Sequence, residues 1–163
     1  MTTLAACTWP VLCVALAGCA AETGSASFGD DLSDPQVPAR GSDDLPQWLA
    51  AGHYRSWRCE PVEHGARPPS PHGVTRICSN DALRTRTGDG AFPVGAASVK
   101  EIFQGGSITA YAVSRRVAAA QGGDGWYWFE GTANHASGNA TGVPGCTGCH
   151  EQATRDYVFT VVP

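Results

Sequence analysis

The chain runs to 163 residues with 11 basic and 15 acidic side chains, a formal net charge of −4. That balance presents no basic field, so nucleic acid is not an expected partner. Past residue 19 no apolar stretch approaches the length that crosses a bilayer, and what remains is enough for one modest core.

The first element is an apolar run, Leu4 to Ala17, closing in Leu16-Ala17-Gly18-Cys19. It is too short for a membrane span and ends in small residues, as a cleaved export signal does. The four closing residues resemble the lipobox of bacterial lipoproteins. Residues 1–18 therefore read as a lipoprotein signal peptide and Cys19 as the lipidated N-terminus. Such an anchor would tie the protein to a membrane of a Gram-negative cell envelope, facing the periplasm or on the outer membrane. Each buried methylene contributes about 0.8 kcal/mol to it. No Lys or Arg precedes the run. A misassigned start would explain that, and an ordinary or uncleaved leader is the competing reading. Residues 19–44, rich in Gly, Ser, Asp and Pro, read as an acidic flexible tether.

The folded part is expected over 45–163. Asp44-Leu45-Pro46 predicts an N-cap and the first turn of a short helix carrying Trp48 and Leu49, with Gly52 as its stop. Tyr54 to Trp57 predicts a second turn and Arg58 to Glu60 a short strand. Pro61 to Pro71 is a proline-bearing loop, Val74 to Cys78 a strand, and Asn80-Asp81 the cap of a short helix through Arg84. Ala96 to Gln104, Ser107 to Ala118 and Trp126 to Glu130 are rich in β-branched and aromatic residues. Gly105-Gly106 and Gly122-Gly123-Asp124-Gly125 separate them, which predicts an antiparallel meander. In the last of these strands Trp126 and Trp128 share one face, Tyr127 and Phe129 the other. Thr132 to Gly145 reads as a loop, and Asp156 to Val162 alternates like a closing strand. The predicted class is α+β, a single domain dominated by sheet.

Between loop and closing strand lies Cys146-Thr147-Gly148-Cys149-His150. Two cysteines two residues apart, followed at once by histidine, make the attachment signature of a c-type haem. Each thiol can form a thioether to a vinyl group, and the next imidazole serves as the proximal iron ligand. A redox dithiol and half a zinc site are the competing readings. The first is expected beside a βαβ pattern and the second with another Cys or His pair, and neither pattern is visible. The remaining cysteines then fall into place. Cys7 and Cys13 leave with the signal and Cys19 takes lipid, which leaves Cys59 and Cys78 to pair in an oxidising compartment.

The motif and its neighbours resemble a family. Gly145 to His150 followed by Arg155-Asp156-Tyr157-Val158-Phe159-Thr160 is similar to the C-terminus of the cytochrome P-460 and cytochrome c prime beta family. Tyr54-Arg55-Ser56-Trp57 resembles its early Tyr-Arg-x-Trp segment. Phe92 to Glu101 resembles its strand ending in Val-Lys-Glu, and Gly125-Trp126-Tyr127-Trp128-Phe129 its aromatic strand. The resemblance implies that Lys100, at the Val-Lys-Glu position, is covalently joined to the haem macrocycle. Composition singles out the same residue, because Lys100 is the chain's lysine among 11 basic residues that are otherwise arginine. A guanidinium would serve a solvated face but not replace a nucleophilic amine. An exposed strand lysine is the competing reading.

The resemblance further implies oxidation of hydroxylamine, with a distal carboxylate as proton acceptor on a strand after the lysine. Ser107 to Ser114 has no acidic residue, Glu130 reads as a solvated strand end, and Glu101 alternates away from Lys100. Tyr111 is then the candidate hydrogen-bonding residue of the pocket, with plain sheet core as its alternative. His53, His64, His72 and His135 read as surface residues, which leaves the sixth iron position open. The expected function is oxidation or binding of a small nitrogenous or gaseous ligand, hydroxylamine or nitric oxide. A redox partner protein and a homodimer, which the family often forms, complete the expectation. Simple electron transfer is the alternative, but Met1 is the sole methionine and cannot supply a His/Met pair.

Overall fold

The computed structural model describes residues 36–38, 44–86, 88, 90–119, 122–132 and 134–163. The expected signal peptide, the Cys19 lipidation site and most of the tether lie outside these residues. Six strands form one antiparallel sheet in chain order: β1 (Arg58–Cys59), β2 (Val74–Ser79), β3 (Ala97–Gln104), β4 (Ser107–Arg116), β5 (Trp126–Gly131) and β6 (Ala136–Thr141). Three short helices accompany it: α1 (Asp44–Ala50), α2 (Asp81–Arg84) and α3 (Pro144–His150). The class is α+β with sheet dominant, as the patterning predicts.

Local chemistry explains most element ends. Gly52 takes a left-handed φ of 72° and its N–H donates to Leu49, which closes α1. Gly105 and Gly106, both at positive φ, make the two-residue hairpin between β3 and β4. The buried Asn80 side chain accepts from the N–H of Leu83 at the start of α2 and from that of Ala97 at the start of β3. One cap thereby ties a helix to the sheet.

Strand alternation gives the sheet two different faces. On one, Cys78, Val99, Val113 and Phe129 lie in register and pack against Leu45, Leu49, Tyr54 and Trp57. Cys59 opposes Cys78 across β1 and β2, and the two are joined by a disulfide. Closing that loop of about 19 residues stabilises the fold by roughly 3 kcal/mol in the chain-entropy account. The other face carries Trp126 and Trp128, packed with Leu83, Phe92 and Val158.

Within the first core lies a charge. Glu101 is 0% exposed and accepts from the Tyr54 hydroxyl at 2.7 Å and from Arg76 at 2.6 and 3.0 Å, with Arg55 at 3.4 Å. Burial alone would raise its pKa, but the bonds from Arg76 and then Tyr54 outweigh it and hold the carboxyl below its ordinary value.

Three segments depart from expectation. Val37, assigned to the tether, is 3% exposed in the first core, and its carbonyl accepts from Arg115. A single valine can be buried by the sheet although its neighbours are too polar to signal folding. Residues 136–141, expected in a loop, form β6, because β5 offers ladder partners that override weak strand propensity. Residues 156–162, expected as a strand, form none. Asp156 and Tyr157 take φ values of 44° and 67°, which no strand accommodates.

Glu101→Gln removes the negative charge that Arg76 and Tyr54 satisfy. Equilibrium denaturation should show a loss of about 3 kcal/mol; an unchanged midpoint would mean the network contributes no net stability.

Candidate functional site

The haem-signature residues sit on α3, which opens with Pro144 in its first turn, where a missing N–H costs nothing. Positions 146, 149 and 150 are spaced i, i+3 and i+4, so helical geometry puts both thiols and the imidazole on one face. Both cysteines are free and half-buried. The turn Gly123–Gly125 comes directly against this helix, since a Cβ on Gly123 would collide with the Thr147 side chain.

That helical face closes one side of a cavity of about 280 Å³. The floor is the second face of the sheet, with Lys100 from β3, Ser114 from β4 and Trp128 and Glu130 from β5. The loop from His64 to His72 forms another wall, and Tyr157 to Thr160 a third. The loop is held to β2 through paired backbone bonds between His64 and Thr75.

His150 is oriented by a chain of contacts. Its Nδ1 lies 2.7 Å from the Tyr157 carbonyl, which can only accept. Nδ1 therefore carries the proton, and Nε2 of the neutral ring presents a lone pair. The ring sits between Trp128 and Phe159, with centroids 4.5 and 5.2 Å away. The Tyr157 carbonyl is aimed by the two left-handed residues, and Asp156 holds that bend. Its carboxylate accepts from the Phe92 N–H at 2.8 Å and from the buried Arg116 at 3.3 Å. Asp tolerates left-handed backbone, whereas Tyr pays for it by about 1–2 kcal/mol. Strain there is spent on placing one carbonyl.

Burial governs the electrostatics. It pushes the Lys100 ammonium below its ordinary pKa, although Cys149 and Glu130 pull the other way. It also lowers His150, with the Tyr157 bond opposing, and raises the Cys146 thiol, to which Glu130 adds. A redox dithiol needs the opposite shift, a depressed thiol.

The structure brings together Cys146, Cys149, His150 and Lys100 at one cavity. It does not bring Tyr111 there. Tyr111 pairs with Glu101 and packs on the opposite face with Tyr54, at 6.0 Å between centroids, so it does not line the cavity. Alternation along β4 decides this: Ala112, in register with Lys100, faces the cavity instead.

Two residues expected to be solvated belong to the site. Glu130 lines the cavity with its side chain 38% exposed, and His72 lines it at 13%. Burial, with Lys100 adding to it, lowers the His72 pKa to about 4. Its position before Gly73, in a proline-fixed turn, carried no signal of the fold-over that buries it. Among the described residues, no three His, Cys, Asp or Glu side chains are grouped to hold a bare metal ion, and no helix is long and apolar enough to cross a membrane. No protein-family model matches the chain, and no curated protein matches it.

The depressed His72 pKa has a sign. Below pH 6.5 the unfolded chain takes the proton first, so stability falls as pH drops from 6.5 to about 4. The loss from this residue is at most about 3 kcal/mol. His72→Leu should flatten that part of the stability-against-pH curve in urea titrations; curves that stay parallel would show the imidazole is not buried.

Proposed function

We propose that the chain is a mono-haem c-type cytochrome of the cell envelope that takes hydroxylamine or nitric oxide at its iron, as the resemblance to the cytochrome P-460 and cytochrome c prime beta family implies. One observation carries this reading. Two free thiols and an imidazole share a helical face on a cavity, and the imidazole's Nδ1–H is committed to a backbone carbonyl, so Nε2 is left to ligate.

The donor set fits the group. Cys146 and Cys149 would carry it by thioethers and His150 would ligate the iron. Trp128, on the cavity floor, has a buried indole N–H with no acceptor among the described residues, a gap that an occupant bearing acceptors would fill. The bound haem would supply a redox-active iron with a free coordination position. Trp128 and Phe159 flank the imidazole with apolar rings. Lys100, desolvated in the same cavity, is suited to a third covalent link, since burial raises the fraction of free amine. Oxidation of a substrate would pass electrons to a redox partner protein, and acylated Cys19 would anchor the whole to the membrane.

Made in a host competent for cytochrome maturation, the protein should gain the mass of one haem and show a Soret band. Cys146→Ser with Cys149→Ser should abolish the covalent mass. A colourless wild type of polypeptide and acyl mass alone would sink the reading. Lys100→Arg should shift the Soret band, and an unchanged position would eliminate the cross-link. Hydroxylamine should reduce an artificial acceptor faster than with free haem, and an equal rate would reject the enzymatic version in favour of ligand capture.

A further inference from the structure

His72 and Glu130 meet at the cavity from different elements. His72 stands on the turn at Ser70–Gly73, where its N–H lies 3.4 Å from the Ser70 hydroxyl. Glu130 comes from β5, two residues beyond Trp128 and on the same sheet face. The carboxylate oxygen lies 3.6 Å from His72 Nδ1, longer than a hydrogen bond but near enough for its negative charge to favour the proton on that nitrogen. Burial keeps the ring neutral at pH 7. Nε2 has no protein partner among the described residues and carries the lone pair. The cavity thus holds a second imidazole, with a carboxylate oxygen on the Nδ1 side at ion-pair rather than hydrogen-bond distance and Nε2 left over. Lys100, His64 and Arg67 lie on the walls around it.

We infer that His72, oriented by Glu130, is the specificity-determining residue of this cavity, and that its Nε2 accepts a hydrogen bond from the bound ligand. This rests on the haem reading and deepens it. An acceptor rewards ligands that carry O–H or N–H, as hydroxylamine does. It offers nothing to nitric oxide, which has no hydrogen, and it disfavours anions such as nitrite, whose oxygens need a donor. The selected substrate class is therefore small neutral nitrogen hydrides and hydroxides. Glu130 acts as a positioning residue, since it sets the tautomer and does not itself receive the ligand.

The test is optical titration of the full-length holoprotein with hydroxylamine (oxidised, no electron acceptor present), nitrite and nitric oxide (reduced). His72→Leu should weaken hydroxylamine binding by about five- to tenfold, the contribution of one hydrogen bond, and leave nitric oxide within about twofold. Glu130→Gln, which keeps the shape, can donate to Nδ1 and turn Nε2 into a donor. It should weaken hydroxylamine and strengthen nitrite. Hydroxylamine affinity unchanged in both variants, or an equal loss for hydroxylamine and nitric oxide, would overturn the assignment while the haem reading stands. A wild type without covalent haem mass would overturn both. Should His72→Leu fail to fold, the opposite shifts in Glu130→Gln decide alone.

Discussion

The register of the central strands rests on the buried Glu101 carboxylate. Three side chains from two segments converge on it, Tyr54 and Arg55 from the turn after α1 and Arg76 from β2. A slip of one residue would carry it out of their reach and leave the half-buried Arg76 without its carboxylate. The Cys59–Cys78 bridge ties the neighbouring strands in the same register. With Glu101 locked on one face, the pleat forces Lys100 to the other. The position of the cavity amine is thus a consequence of a charge network on the far side of the sheet.

The cavity depends in turn on a second buried pairing. Arg116 and Asp156 sit 40 residues apart, and their contact bends the chain after α3 into a conformation that Tyr157 would not adopt alone. The reward is one carbonyl placed at His150, which fixes the tautomer of the residue proposed to meet iron. A network that stabilises one face and a bend that costs energy on the other serve the same site. This division is common where function constrains a fold.

Most of the meander was legible because its signals are local. β-branched and aromatic runs between glycine turns gave β3 to β5, and Asn80 announced a cap that proved to serve both α2 and β3. β6 was not legible, because Ala136 to Thr141 has little propensity of its own and is a strand only because β5 pairs with it. The false strand after α3 fails for a related reason. Alternation at Asp156 to Val162 is not matched by alternating sides, since residues 157–160 line the cavity in succession, and the Asp156 carboxylate is held by the distant Arg116. Val37 shows the same limit at the other end, since one buried residue leaves no periodic trace.

For the site, sequence alone determined the chemistry carried by contiguous residues: two thiols and an imidazole within five positions, and a lone lysine on a strand facing away from Glu101. The motif follows from local spacing and the lysine's side from strand alternation, whereas the helix that puts the thiols and imidazole on one face emerged with the structure. Tertiary structure alone decided what stands opposite. His72 and Glu130 come from a loop and a strand end separated by 58 positions in the chain, and Tyr111 was lost to the other face. Which loop folds over a sheet depends on packing and hydrogen bonds between segments remote in sequence, and no local pattern encodes it.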